Sequence, residues 1–226
     1  MVQSPNITEG TTIIANFQTA GKGQRGNSWE SQEGKNLMFS LILKPSFLSP
    51  TEQFQLNITI SLAVSEFLTT YLGKKIKVKW PNDIFFEDKK ICGILIQNFI
   101  KSSKIETSIV GIGININQIE FSEGKATSLV KILAKEFDRN VLLNEFLSIL
   151  EKNYLQLRNG GIESLKNRYI DNLFRVWEIC FYKTKENVFK GMVIGVDEIG
   201  QLLIKENENI HSFQFKEVEF LDINDK

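Results

Sequence analysis

The chain has 226 residues, with 27 Lys plus Arg against 27 Asp plus Glu, so its formal net charge is zero. That length holds one large domain or a large and a small one, and the charge balance argues against a nucleic-acid binder driven by bulk electrostatics. Apolar runs such as 37–43 and 109–116 are far too short to span a bilayer, so no membrane role is expected.

No charged-then-apolar leader opens the chain, so a cytoplasmic protein is expected. Cys92 and Cys180 lack metal-ligand spacing and read as two reduced thiols. His211 is the single histidine. Ser-His-Asp catalysis and multi-His metal sites need more than that. Any enzyme chemistry therefore runs on Lys, Arg, Asp, Asn and backbone groups, which suits phosphate or acyl-phosphate reactions.

In chain order, "TTIIANFQ" (11–18) predicts a strand entering a glycine-rich loop, "GKGQRGNSW" (21–29). "NLMFSLIL" (36–43) leaves the loop as a second strand. Ser49-Pro50-Thr51-Glu52 has the form of a helix start, with a Ser cap, Pro at the first position and Glu three residues after the cap. The helix beyond it carries Phe54, Ile58, Leu62, Phe67 and Tyr71 as candidate core residues and ends at Gly73. "KIKVKW", "IFF" and "ICGILIQNF" then read as three short strands. "ETSIVGIGINI" (106–116), almost entirely apolar, is expected at the centre of the sheet. Helices are expected between Ser128 and Asn172, broken at Gly160-Gly161, and short strands with glycine and acidic turns from Arg175 onward. The order predicts an α+β fold: a mixed, mainly antiparallel sheet with helices over residues 1–174, then a small β-barrel-like module over 175–226. It does not alternate as a dinucleotide-binding fold would.

Four stretches could carry chemistry. The glycine loop reads alone as a solvated surface loop, or as backbone N–H groups with Lys22 and Arg25 folding over an anion while Trp29 locks the loop down. "KWPND" (79–83) is a turn, or four functional groups at a strand end. Lys90 is a solvated turn lysine, or it is turned inward beside Gly93, where a glycine lets a ligand approach the backbone. "GIGIN" (111–115) lacks the third glycine of a dinucleotide fingerprint and leaves Asn115 as a polar strand end needing partners.

Taken in order, "QTAGKGQRGNSW", "KWPNDIFFEDKKICGIL" and "GIGININ" resemble the biotin protein ligase family, in its short form without a DNA-binding domain. The resemblance runs over nearly the whole chain from Thr11. It implies a class II synthetase-like catalytic domain with a small SH3-like barrel, and a ligase using biotin, ATP and Mg²⁺. Biotin and ATP would give biotinyl-5′-AMP and pyrophosphate, and a lysine of a biotin carboxyl carrier protein, in acetyl-CoA carboxylase or a related carboxylase, would accept the biotin. The glycine loop would be a ligand-ordered lid.

By the same resemblance, Gln18, Lys22, Gly23, Gln24, Lys90 and Gly93 are the biotin contacts. Arg25, Trp29, Lys79, Asn82 and Asn115 are placed at the adenylate. Lys90, Asp83 and Arg25 are the catalytic candidates, with Asp83 orienting the incoming amine or a Mg²⁺ ion. Two departures stand out. The family usually has Arg where this chain has Gln24, so either Arg25 takes over the phosphate contact or the loop shifts in register. The family's Ser-Thr-Asn helix start, which helps hold the ureido ring, does not occur in "MVQSPNITEG", so part of the biotin pocket and one core helix are expected to lie outside these residues. Alternatives are a lipoate–protein ligase and a truncated, non-catalytic biotin or adenylate binder. A monomer and a homodimer both fit, and no nucleic-acid partner is expected.

Overall fold

The first six strands bury one face of a single sheet under helices and leave the other face to a pocket. The computed structural model describes residues 7–26, 28–122 and 124–221. The strands are β1 (Thr12–Ala15), β2 (Leu37–Leu43), β3 (Ile76–Lys79), β4 (Asp83–Phe86), β5 (Lys89–Lys101) and β6 (Lys104–Ile114). They lie in the order β1-β2-β6-β5-β4-β3, each pair antiparallel. The apolar β6 sits inside the sheet, as its sequence predicts. Period-2 alternation separates its faces. Val110, Ile112 and Ile114 enter the core, while Ile109, Gly111 and Gly113 line the pocket.

The core face is covered by α1 (Gln53–Leu72), reached through a 3-10 turn at Pro50–Glu52. The Glu52 carboxylate accepts hydrogen bonds from the Ser49 backbone N–H (2.9 Å) and hydroxyl (2.7 Å), the reach-back half of a capping box. Gly73, at φ +69°, takes the backbone past the helix end. Of the expected core residues, Ile58, Leu62 and Phe67 are buried, whereas Phe54 and Tyr71 are half-buried. Leu56, Ile60, Val64 and Leu68 are buried as well. The reason is that α1 lies between the sheet and a second layer, α3 (Arg139–Arg158) and α4 (Ile162–Asp171), so a single apolar stripe underestimates its core. A short α2 (Leu129–Leu133) precedes them, and α3 and α4 part at Gly160-Gly161 as expected.

The second sheet holds β7 (Ile179–Lys183), β8 (Val188–Val196), β9 (Leu202–Glu206), β10 (Asn209–Phe213) and β11 (Glu219–Phe220), in the order β10-β9-β8-β7-β11. It is fastened to the first sheet near β3. The Phe174 N–H donates to Val78 O (2.8 Å), and the Trp80 indole N–H donates to Gly200 O (2.9 Å) in a buried contact. The protein is thus a mixed α+β fold with mainly antiparallel sheet and a small β module at its C-terminal end. Among the described residues, no helix is long and apolar enough to cross a membrane.

Candidate active site

On the uncovered sheet face, the side chains that point outward are small in the middle. Gly93 of β5 and Gly113 of β6 are direct cross-strand partners. Met38, Ser40, Leu95, Gln97, Ile109 and Gly111 complete a floor beneath a pocket of about 350 Å³.

A register shift turns Lys90 into this pocket. Asp83 pairs with Gly93 and Ile84 with Cys92, but Phe85 pairs with Lys90, so β5 carries one extra residue against β4. Such a bulge reverses the facing of the side chains beyond it. Ile91 and Cys92 are both buried in the core, and Lys90 lands on the same side as Gly93. The Lys90 ammonium lies 2.7 Å from the Asp83 carboxylate. Asp83 stands at the start of β4, just after the cis Trp80–Pro81 peptide. Asn82 is buried beside it, its amide donating to Ile94 O at 2.7 Å. Cys92, beneath the floor, is shielded, and burial pushes its thiol well above its ordinary value despite the nearby Lys90 charge.

The glycine loop closes the top. Lys22 and Ser28 pair across it, and the Trp29 N–H donates to Gly21 O at 2.9 Å. The indole of Trp29 lies flat on the glycine floor. A Cβ at Gly113 would come within 2.5 Å of the ring, and one at Gly93 within 3.0 Å. The Lys90 ammonium is 5.6 Å from the same ring. The indole Nε1 of Trp29 and Oε1 of Gln24 are buried with no protein partner, a donor and an acceptor held at the pocket.

The structure therefore brings Gln18, Lys22, Gly23, Gln24, Trp29, Asn82, Asp83, Lys90 and Gly93 to one cavity. Two expected residues do not line it. Lys79 sits at the end of β3 on the side of a second groove, its ammonium 4.6 Å from the Phe85 ring centroid and 5.6 Å from those of Phe174 and Phe220. Asn115 is covered by the segment at 125–128 and donates its amide to Thr127 O at 3.0 Å. The Arg25 side chain lies outside the described residues.

Sequence reasoning missed Gly111 and Gly113, although their i, i+2 spacing in a strand puts both on one face, a signal that could have found them. It also missed Phe215, which reaches the pocket from the C-terminal module and had no local mark. A Mg²⁺ ion has little protein to hold it here. No cluster of three His, Cys, Asp or Glu occurs among the described residues, and Asp83, the carboxylate at the pocket, is already paired with Lys90. Triphosphate oxygens would supply most of its ligands.

Known proteins with this pattern point one way. The model of the biotin/lipoate A/B protein ligase family matches residues 2–115. The bifunctional ligase/repressor BirA of Bacillus subtilis is 32% identical over 220 residues, spanning 95% of this chain and 67% of that protein. The biotin–[acetyl-CoA-carboxylase] ligase of Paracoccus denitrificans is 26% identical, spanning 89% and 87%. Among solved structures, the biotin protein ligase of Aquifex aeolicus in complex with biotin and ATP is 30% identical, with a TM-score of 0.80 over 97% of this chain and 92% of that one. With its glycine-floored pocket and its ordered motifs, the chain belongs to the biotin/lipoate A/B protein ligase family.

Proposed function

We propose that this pocket performs both halves of biotin–protein ligation. The chain is a ligase that activates biotin with ATP and transfers it to a lysine of a biotin carboxyl carrier protein, that of acetyl-CoA carboxylase or a related carboxylase. The observation that carries this reading is the Lys90–Asp83 pair, 2.7 Å apart, beside a glycine floor and under a loop that presents Trp29 and Gln24.

In the first half-reaction a biotin carboxylate oxygen attacks the α-phosphorus of ATP. A P–O bond forms, the bond to pyrophosphate breaks, and pyrophosphate leaves with the electron pair. In the second, a neutral lysine amine attacks the acyl carbon, the C–O bond to AMP breaks, and the nitrogen gives up a proton. Both transition states gather negative charge on oxygen, and in our reading the Lys90 ammonium faces it. Asp83 holds Lys90 in place and orients the incoming amine. Gln18, Lys22, Gly23, Gln24 and Gly93 surround biotin, while Trp29 and Asn82 belong to the adenylate end. We assign residues 1–174 to catalysis and 175–226 to a separate small domain, on the change of sheet after Phe174, and we place the reaction in the cytoplasm, where ATP and carrier proteins meet.

The test is biotin-dependent exchange of pyrophosphate into ATP, with lipoate in a parallel assay. Exchange with biotin alone is the expected result. Exchange with lipoate alone would move the chain to lipoate ligation, and none with either acid would overturn the reading.

A further inference from the structure

Two contacts tie the glycine loop to itself: Lys22 pairs with Ser28, and the Trp29 N–H reaches Gly21 O. Its closing end is also held from outside. Trp29 rests on Gly93 and Gly113, and the residue after it reaches a distant part of the chain. The Glu30 carboxylate accepts hydrogen bonds from the Ser122 backbone N–H, 3.1 Å from each oxygen, and from the Ser122 hydroxyl at 2.5 Å.

The chain around Ser122 also frames Lys90. The Lys90 N–H donates to Lys125 O and the Thr127 N–H donates to Lys90 O, both at 2.9 Å. On the other side of Ser122, the buried Gln118 oxygen accepts from the Gln32 N–H at 3.1 Å and from the Asn36 amide at 2.5 Å. One support therefore serves both the root of the loop and the backbone of the lysine beneath it.

The two attachments of the loop root differ in kind. The Gln118 oxygen is buried, and removing it would leave buried donors unsatisfied, so it belongs to the frame. Glu30 and Ser122 are exposed. Water replaces a lost partner there, and such a contact adds little to folding. It is nevertheless charge-assisted and directional, and it fixes the residue next to the indole. A contact of this kind acts on the loop more than on the fold.

We propose that Glu30 is a positioning residue: through Ser122 it keeps Trp29 on the glycine floor, so that biotinyl-AMP stays enclosed until the acceptor amine arrives. The proposal rests on the ligase reading above and extends it to a residue outside the pocket. Without this clasp, water reaches the intermediate. A water oxygen attacks the acyl carbon, the C–O bond to AMP breaks, AMP leaves with the electron pair, and biotin and a proton are released.

The test uses the full chain with biotin and ATP, and follows AMP formation without carrier beside biotin-dependent pyrophosphate exchange. Glu30→Ala should raise AMP formation roughly tenfold, the scale of a lost hydrogen bond to a charged group. Exchange should stay within about twofold of wild type, because Lys90 and Asp83 are untouched. Glu30→Gln keeps an oxygen for the Ser122 N–H, and Ser122→Ala keeps the N–H itself, so both should fall between. The double variant Glu30→Ala with Ser122→Ala should match Glu30→Ala, since both changes remove one contact. Unchanged AMP formation in an exchanging Glu30→Ala enzyme overturns the proposal alone, and so do additive effects of the two alanine changes. A parallel fall of exchange, AMP formation and thermal midpoint in both Glu30 variants overturns it in favour of a structural role. A wild-type chain with no exchange overturns the ligase reading and this proposal with it.

Discussion

Lys90 and Gly113 make opposite contributions to the pocket, one a charge and the other an absence of side chain. Lys90→Ala should lower pyrophosphate exchange by roughly 10²–10³-fold, the usual cost of losing a preorganised stabiliser of transition-state charge, while the thermal transition stays near wild type. Near-normal exchange would remove Lys90 from the centre of the mechanism. Gly113→Ala tests the floor. Its new Cβ would lie 2.5 Å from the Trp29 ring, so the indole must lift. We expect the lid at 21–29 to be cut faster by protease in the presence of biotin and ATP than it is in wild type, and equal cutting would show that Trp29 does not need this seat. At this scale, Lys90, Asp83, Asn82 and the loop residues were legible because each belongs to a short, ordered motif. Lys79 and Asn115 share those motifs but serve other contacts, since a motif in sequence does not say which face of a strand end is covered. Lys79 is drawn off by three aromatic rings, two of them from beyond residue 170.

The start of α1 shows how local chemistry carries an element. Glu52 accepts two hydrogen bonds from Ser49, and its carboxyl is held below the usual range, first by the backbone N–H and then by the hydroxyl. A carboxyl whose native value is depressed adds stability that is full above its unfolded value and fades as pH falls through the native one. Glu52→Gln should therefore lower the urea midpoint at neutral pH, and the gap from wild type should narrow as pH falls below the ordinary glutamate range and through the lower native one. A gap independent of pH would mean that the amide loses packing rather than charge. Cap losses of this kind cost about 1 kcal/mol. Strand order, helix starts and the Gly160-Gly161 break were readable from periodicity and cap residues. The burial of α1 on more than one side was not, because it depends on α3 and α4, which lie far along the chain.

Across the whole molecule, one indole joins the two sheets. Trp80 is buried, donates to Gly200 O and packs edge-on against Phe215. Trp80→Phe keeps the ring and leaves the Gly200 carbonyl without its partner, at a cost of about 1–3 kcal/mol. We expect a lower thermal midpoint together with weaker carrier use, since the junction it holds borders the pocket. A stable variant with unchanged kinetics would separate the C-terminal module from the site. That module was visible in the sequence as a run of short strands. Its contribution to the pocket through Phe215 was hidden, as contacts between distant segments leave no mark in a local pattern.

The extra residue in β5 has a consequence for how this sequence can change. Ile91 and Cys92, both buried beneath the sheet, tolerate exchange for other apolar residues of similar size, whereas Lys90 and Gly93 on either side of them do not. Were the same residues paired one for one with no bulge, strict alternation would turn the Lys90 ammonium into the hydrocarbon beneath the sheet and Ile91 into the pocket. Relatives that keep the reaction should therefore keep the lysine and the glycine, and carry between them either two core residues with the bulge or one without it.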